Sequence, residues 1–189
     1  MDSLLGSRIL GGNTAYKRVE SDFYPTPPEA TQALLDFLNL PSGTKIWEPA
    51  AGEHHMSNVL KSNGFDVEET DILTGQDFLT YEPQFKAEWI ITNPPFSLAQ
   101  EFIKKASQYN IPYAFLLKSQ YWNAKKRYEV FVNHKPAYVL PLTWRPDFLF
   151  KKRGKGSPLM DVMWCVWNDK ILSENNNQTI FLPLNKPEV

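Results

Sequence analysis

The chain has 189 residues, 42% of them hydrophobic and 22% charged, which suits one α/β domain with a sizeable core and is too short for two. A formal net charge of −1 excludes a surface that is basic throughout, so any nucleic-acid contact has to be local. One cysteine, Cys165, excludes an internal disulfide and a multi-cysteine metal site, the three histidines His54, His55 and His134 offer little metal capacity, and no apolar run is long enough to cross a bilayer.

The absence of a leader-like segment points to an intracellular, cytoplasmic protein with no membrane contact, either a monomer or a homodimer. Residues 1–21 hold Gly11-Gly12-Asn13 and scattered charges with no sustained period. They are expected to form a flexible arm or a partner-covering segment, ahead of a single domain over residues 22–189.

Phe23-Tyr24-Pro25-Thr26-Pro27-Pro28-Glu29 opens that domain. Thr26 is placed to cap a helix whose first turn holds Pro27, Pro28 and Glu29. Ala33, Leu34, Phe37 and Leu38 continue it at three-to-four spacing, and residues 39–43 end it. The same residues allow a second reading, with Tyr24 and Thr26 at the mouth of a ligand site.

Lys45-Ile46-Trp47-Glu48-Pro49 predicts a short strand running into Ala50-Ala51-Gly52-Glu53-His54-His55-Met56 and then a helix through Val59 and Leu60. Small residues at such a turn let a ligand approach the backbone, and the helix start offers free amides. The next strand, residues 65–70, ends at Asp71. An acid roughly twenty residues beyond the turn is placed to accept ribose hydroxyls, and Glu69 is a second candidate. In Gly75-Gln76-Asp77-Phe78-Leu79, Asp77 could bond an adenine amine while Phe78 packs on its ring. A polar turn followed by core anchors explains the same residues.

Trp89-Ile90-Ile91-Thr92 then leads into Asn93-Pro94-Pro95-Phe96 and a helical pattern from Ser97. This predicts strand, tight turn and helix, at the sheet edge where open α/β folds bind ligands. Two consecutive prolines remove two backbone donors and restrict the dihedrals. Rigid acceptors beside an aromatic ring suit a planar group carrying an NH2, whether a nucleobase amine or a side-chain amide.

In order along the chain, Tyr24-Pro25-Thr26-Pro27-Pro28-Glu29, Glu48-Pro49-Ala50-Ala51-Gly52, Asp71, Asp77-Phe78 and Asn93-Pro94-Pro95-Phe96 resemble motifs X, I, II, III and IV of the amino-group DNA methyltransferases. The similarity is to small phage-type adenine methyltransferases and covers residues 23–102. It implies a Rossmann-like class I α/β fold: a mostly parallel seven-stranded sheet with an antiparallel C-terminal strand and helices on both faces. It also implies S-adenosylmethionine as cofactor. Tyr24 and Thr26 would lie near its methionine part, and Glu48, Ala50 and Gly52 would line it. Asp71 would take the ribose, and Asp77 with Phe78 the adenine. Asn93 and the Pro94 carbonyl would accept from the target amine, Pro95 would stiffen the turn, and Phe96 would stack on an extruded adenine.

His54 departs from this pattern, since the family's turn usually carries glycine there. Its side chain would either crowd the methionine moiety or demand a left-handed backbone, which histidine adopts at a cost. Alternatively the ring points to solvent and the turn is reshaped.

Beyond the catalytic turn, Phe102, Ile103, Ala106 and Tyr109 extend a helical face, and residues 112–117 predict a buried strand. Lys118-Ser119-Gln120-Tyr121-Trp122-Asn123 forms an aromatic-polar loop beside Asn93, with Lys118, Tyr121 and Trp122 as candidate DNA contacts. Residues 138–142 and 162–167 predict two more strands. Between them, a hairpin loop over 145–158 carries Arg145 and then Lys151, Lys152, Arg153 and Lys155, four cations within five residues. That cluster suits phosphate contacts from DNA, with RNA as the alternative partner. The tail from Asn175 either adds an edge strand or stays loose.

Methylation of an exocyclic amine needs no covalent intermediate, whereas carbon-5 methylation of cytosine needs a cysteine nucleophile. Cys165 sits inside an apolar strand and reads as a packed core residue. RNA or protein-glutamine methylation, or a binding protein impaired by His54, remain the competing functions.

Overall fold

The computed structural model describes residues 24–148, 158 and 160–188. Seven strands are present: β1 (Lys45–Glu48), β2 (Asp66–Glu69), β3 (Trp89–Thr92), β4 (Tyr113–Lys118), β5 (Tyr138–Pro141), β6 (Val162–Trp167) and β7 (Ile180–Phe181). Among the described residues, five α-helices connect or flank them: α1 (Pro28–Leu38), α2 (His55–Ser62), α3 (Ala99–Ala106), α4 (Tyr128–Asn133) and α5 (Asp169–Glu174).

The strands form one sheet in the order β2-β1-β3-β4-β6-β5-β7. All neighbours pair parallel except β6, which runs antiparallel to β4 on one side and β5 on the other. The expected mixed sheet is therefore present. The antiparallel strand is followed by β7, a two-residue edge strand parallel to β5, so the tail takes the first of its two expected forms.

Burial on both faces explains the near-continuous apolar strands. In β4, Tyr113, Phe115 and Leu117 enter one core while Ala114 and Leu116 enter the other. In β6, Met163, Cys165 and Trp167 share the first of these cores, and Val162, Trp164 and Val166 the second. Helix α3 covers the first face through Phe102 and Ile103. Helices α1 and α2 cover the other through Leu34, Leu35, Met56 and Leu60. The buried indole of Trp164 donates to the Ala30 carbonyl at 2.8 Å, fastening α1 to the sheet.

Helix α1 begins one turn-position later than a Thr26 cap requires. Pro27 is its N-cap residue and no side chain caps it; Thr26 is engaged elsewhere. Its end matches expectation, with Asn39 left-handed at φ 46° and donating to Leu35. The chain after β2 passes over β1 to build β3 on its other side. The carboxyl ends of β1 and β3 therefore flank a switch point, where a crevice opens.

Candidate active site

A cleft of about 170 Å³ lies at that edge. Tyr24, Thr26, Glu48, Ala50, Asp71, Asp77, Phe78 and Asn93 all line it, so the resemblance-derived positions converge from five separate stretches of chain. Gly52, also expected to line the cofactor, is not among the lining residues.

The β1–α2 turn is held by the β2 end. Ala51 N–H donates to the Thr70 carbonyl at 3.1 Å, and the Trp47 indole donates to the Thr70 hydroxyl at 2.8 Å. Gly52, at φ 51°, donates its N–H to Asp71 Oδ2 at 2.8 Å. Asp71 Oδ1 accepts from Leu73 N–H, also at 2.8 Å. Both oxygens of Asp71 are thus tied to backbone, each with a further lone pair for a hydroxyl.

His54 is the N-cap residue of α2 at φ 62°, in the left-handed region. This is the backbone that glycine would adopt freely. Its ring turns away from the cleft, with Nδ1 3.0 Å from Glu69 Oε2 and the side chain 56% exposed. Of the alternatives expected for His54, the left-handed backbone is present, and the ring pairs with Glu69 and is not among the residues lining the cleft. Glu69, the alternative ribose acid, is occupied by His54 and Lys61. At the helix head it is Glu53 and His55 that line the cleft.

Glu48 ends β1 on the cleft wall, 1% exposed. It accepts a hydrogen bond from the Thr92 hydroxyl and another from the Ala50 backbone. Burial pushes its carboxyl up to about 8, opposed by those two bonds and reinforced by the neighbouring Glu69 and Asp71 carboxylates.

Asn93 follows Thr92 at the end of β3. Its Nδ2 donates to the Tyr24 carbonyl at 2.9 Å and to the Thr26 hydroxyl at 3.0 Å. Those two partners fix which way round the amide lies; turned over, its oxygen would face the Tyr24 carbonyl. Asn93 Oδ1 is buried and has no hydrogen-bond partner among the described residues. Leaving such an acceptor unsatisfied costs roughly 1–3 kcal/mol, a cost that a donor brought by a ligand would relieve.

Pro95 lines the cleft, whereas Pro94 is buried behind it. Phe96 is 8% exposed. Its ring lies 5.5 Å from that of Tyr24, and the Lys118 ammonium sits 4.7 Å from its centroid. Tyr24 also meets Phe148 at 6.2 Å. Phe78 packs edge-on to Trp47 at 5.1 Å and against Phe102 at 4.7 Å. It is a core anchor that shows one edge to the cleft, not a free platform. Asp77 Oδ1 accepts from Leu79 N–H at 3.0 Å, closing the local turn.

Ile72 and Leu73 also line the cleft and stand 63% and 83% exposed. Leu98 joins them from the turn before α3. These apolar residues were missed from sequence. The available signal was two large aliphatics directly after a strand-terminal acid, where a solvated turn would carry polar residues.

The proposed DNA contacts are distributed differently. Tyr121 is 3% exposed, with the Arg127 guanidinium stacked 3.8 Å over its ring. Trp122 donates its indole N–H to Cys165 Sγ at 3.4 Å and packs against Phe131 at 5.1 Å. Tyr121 belongs to the core and Trp122 packs partly buried against it. Arg145 pairs with Asp161 through Nε at 2.7 Å and remains half exposed. Lys151, Lys152, Arg153 and Lys155 lie outside the described residues, as do residues 1–21.

Cys165 is fully buried, and burial pushes its thiol up to about 12. Such a thiol is not a nucleophile. Among the described residues no cluster of acids, histidines or cysteine could hold a metal ion, and no helix is long and apolar enough to cross a membrane.

No family model matches the chain, and no curated protein does. Solved structures do. A protein described as a class I S-adenosylmethionine-dependent methyltransferase from Listeria monocytogenes superposes with a TM-score of 0.61 at 16% identity, covering 97% of this chain and 72% of its own. The methyltransferase subunit of a type I restriction-modification system from Streptococcus thermophilus gives 0.55 at 13% identity, over 86% of this chain and 47% of that one. A protein described as an RNA methyltransferase from Pyrococcus horikoshii gives 0.53 at 12% identity, over 88% and 97%. The fold is the Rossmann-like class I methyltransferase fold, and the chain spans about half of the restriction-modification subunit it resembles.

Proposed function

We propose that this protein transfers a methyl group from S-adenosylmethionine to the exocyclic amine of adenine in DNA, with the target base extruded from the duplex. One observation carries the reading: the buried, partnerless Asn93 Oδ1, held by its own amide nitrogen at the wall of a cleft.

The cleft suits the cofactor. Ile72, Leu73 and Leu98 offer apolar surface for an adenine ring, and Asp71 offers lone pairs to a ribose. Glu48 and Glu53 give the wall an acidic character that favours a cation. When bound, S-adenosylmethionine supplies an electrophilic methyl group on a sulfonium.

The chain's own part is positioning. An aromatic amine is a poor nucleophile because its lone pair is delocalised into the ring. Asn93 Oδ1 would accept one amine hydrogen, and the Pro94 carbonyl the other. Together they would hold the nitrogen toward tetrahedral geometry and in line with the methyl group. The base has to leave the duplex for its amine to be reached. Phe96 would bound the base pocket together with Tyr24, and the Lys118 ammonium over Phe96 has to shift if that ring face is to stack a base.

DNA over RNA or protein rests on the resemblance of the Asn-Pro-Pro-Phe turn and on the basic segment at Lys151, Lys152, Arg153 and Lys155. Fold likeness does not discriminate, since the neighbours span both nucleic acids. Against the alternative of an impaired binding protein, His54 pairs with Glu69 and is not among the residues lining the cleft, although its backbone is left-handed at φ 62°. Labelled methyl transfer to unmethylated DNA, RNA and bulk protein in parallel tests the proposal. Label in N6-methyladenine of DNA is expected; label confined to RNA or protein would replace the substrate, and none anywhere would favour the binding role.

A further inference from the structure

The cleft has a lopsided charge. Among the described residues, Glu48, Glu53, Asp71 and Asp77 line it, against one imidazole, His55, and no lysine or arginine. Glu53 is exposed and Asp71 and Asp77 are partly exposed, and both oxygens of Asp71 hold backbone amides. Glu48 differs, being enclosed at 1% exposure on the wall it shares with Asn93. The Thr92 hydroxyl bonds it directly to the residue preceding Asn93. An enclosed carboxyl without a cation is unstable when ionised.

We propose that Glu48 is the counter-charge for the cationic end of the donor, and that it gives up a proton to solvent when the cationic donor binds and regains one when the neutral thioether product takes the donor's place. This rests on the cofactor reading above. The donor and its demethylated product differ by one methyl group and one positive charge, so a group that answers to the charge distinguishes fresh cofactor from spent. Ionised Glu48 beside a sulfonium forms a compensated pair. Beside a thioether it is a bare buried charge, and protonation relieves it.

The surroundings favour the protonated form until a cation arrives. Burial holds the carboxyl at about 8, and Glu69 and Asp71 reinforce that direction. Asp77 faces the cleft from the segment before β3, and Glu53 and His55 from the head of α2. Glu69 is itself engaged by Lys61 and His54, so it is not free to serve as the counter-charge. By linkage, affinity for the cationic donor should rise about tenfold per pH unit below that value and level off above it, while affinity for the neutral product stays flat.

Titration calorimetry of the full chain tests this, using S-adenosylmethionine and S-adenosylhomocysteine at pH 7 in buffers of different ionisation enthalpy. The donor is expected to release about one proton per site and the product close to none. Glu48→Gln should bind the donor without proton release and with a dissociation constant flat from pH 6 to 8; His55→Gln should keep the release. Equal proton counts for donor and product in the wild type, or release retained in Glu48→Gln, would overturn the inference while leaving the cofactor reading intact. Absence of binding by the wild type would overturn both. Should Glu48→Gln fail to fold, the wild-type buffer series decides alone.

Discussion

The carboxamide nitrogen of Asn93 donates to the hydroxyl of Thr26 at 3.0 Å, across 67 residues of chain. Thr26 is 4% exposed, so this bond is shielded from competing water. The segment before α1 is thereby built into the corner at Asn93, and Thr26, itself lining the cleft, helps aim the Asn93 oxygen.

Thr26→Val should loosen that aim while the Tyr24 carbonyl still holds the amide. A drop of about tenfold in single-turnover methyl transfer is expected, with donor affinity little changed, as for a misaligned positioning group. Full activity in the variant would mean that Tyr24 alone suffices.

Asn93→Ala removes the acceptor itself. Transfer should fall by at least about 100-fold, the scale seen on deleting one preorganised polar partner, with donor affinity within a few-fold by calorimetry. A large loss of donor binding would reassign Asn93 to the cofactor.

His54→Gly replaces a left-handed histidine at φ 62°. Relief of that backbone should outweigh the exposed contact to Glu69, raising stability by about 1 kcal/mol. Donor affinity should stay within about twofold, since the ring does not line the cleft. Urea unfolding and calorimetry together check this; a tighter-binding variant would restore the crowding argument.

Glu48 also sets a pH dependence of folding. Its carboxyl is raised from 4.5 to about 8 in the folded state. Its contribution is fully present below 4.5 and is lost as pH climbs toward 8, because only the unfolded chain ionises it readily in that window. Glu48→Gln should therefore gain on the wild type between pH 5 and pH 8 by an amount on the order of a few kcal/mol. Parallel denaturation curves at the two pH values would refute this.

Neutralising Lys151, Lys152 and Arg153 should weaken DNA binding and flatten its salt dependence, by roughly 0.9 in log–log slope for each phosphate contact removed. An unchanged slope would take the basic segment out of the interface.

The sequence by itself determined the element order, the two-faced burial of the strands and the corner at Asn93. Those follow from local pattern: side-chain period, proline stiffness, and small residues at a strand-to-helix turn. The family resemblance also flagged His54, since it stands where that family's turn usually carries glycine. Tertiary structure decided the rest. Thr26 reads equally as a helix cap or a site residue until β3 is brought beside it. Tyr121 looks like a surface residue until the loop after β4 brings it into the core. Ile72 and Leu73 acquire a purpose only when the cleft opens next to them. The direction of the His54 ring depends on where β2 leaves Glu69. Each of these turns on contacts between residues distant in sequence, and a hydrogen bond or a buried face has no signature in the chain until both partners are in place.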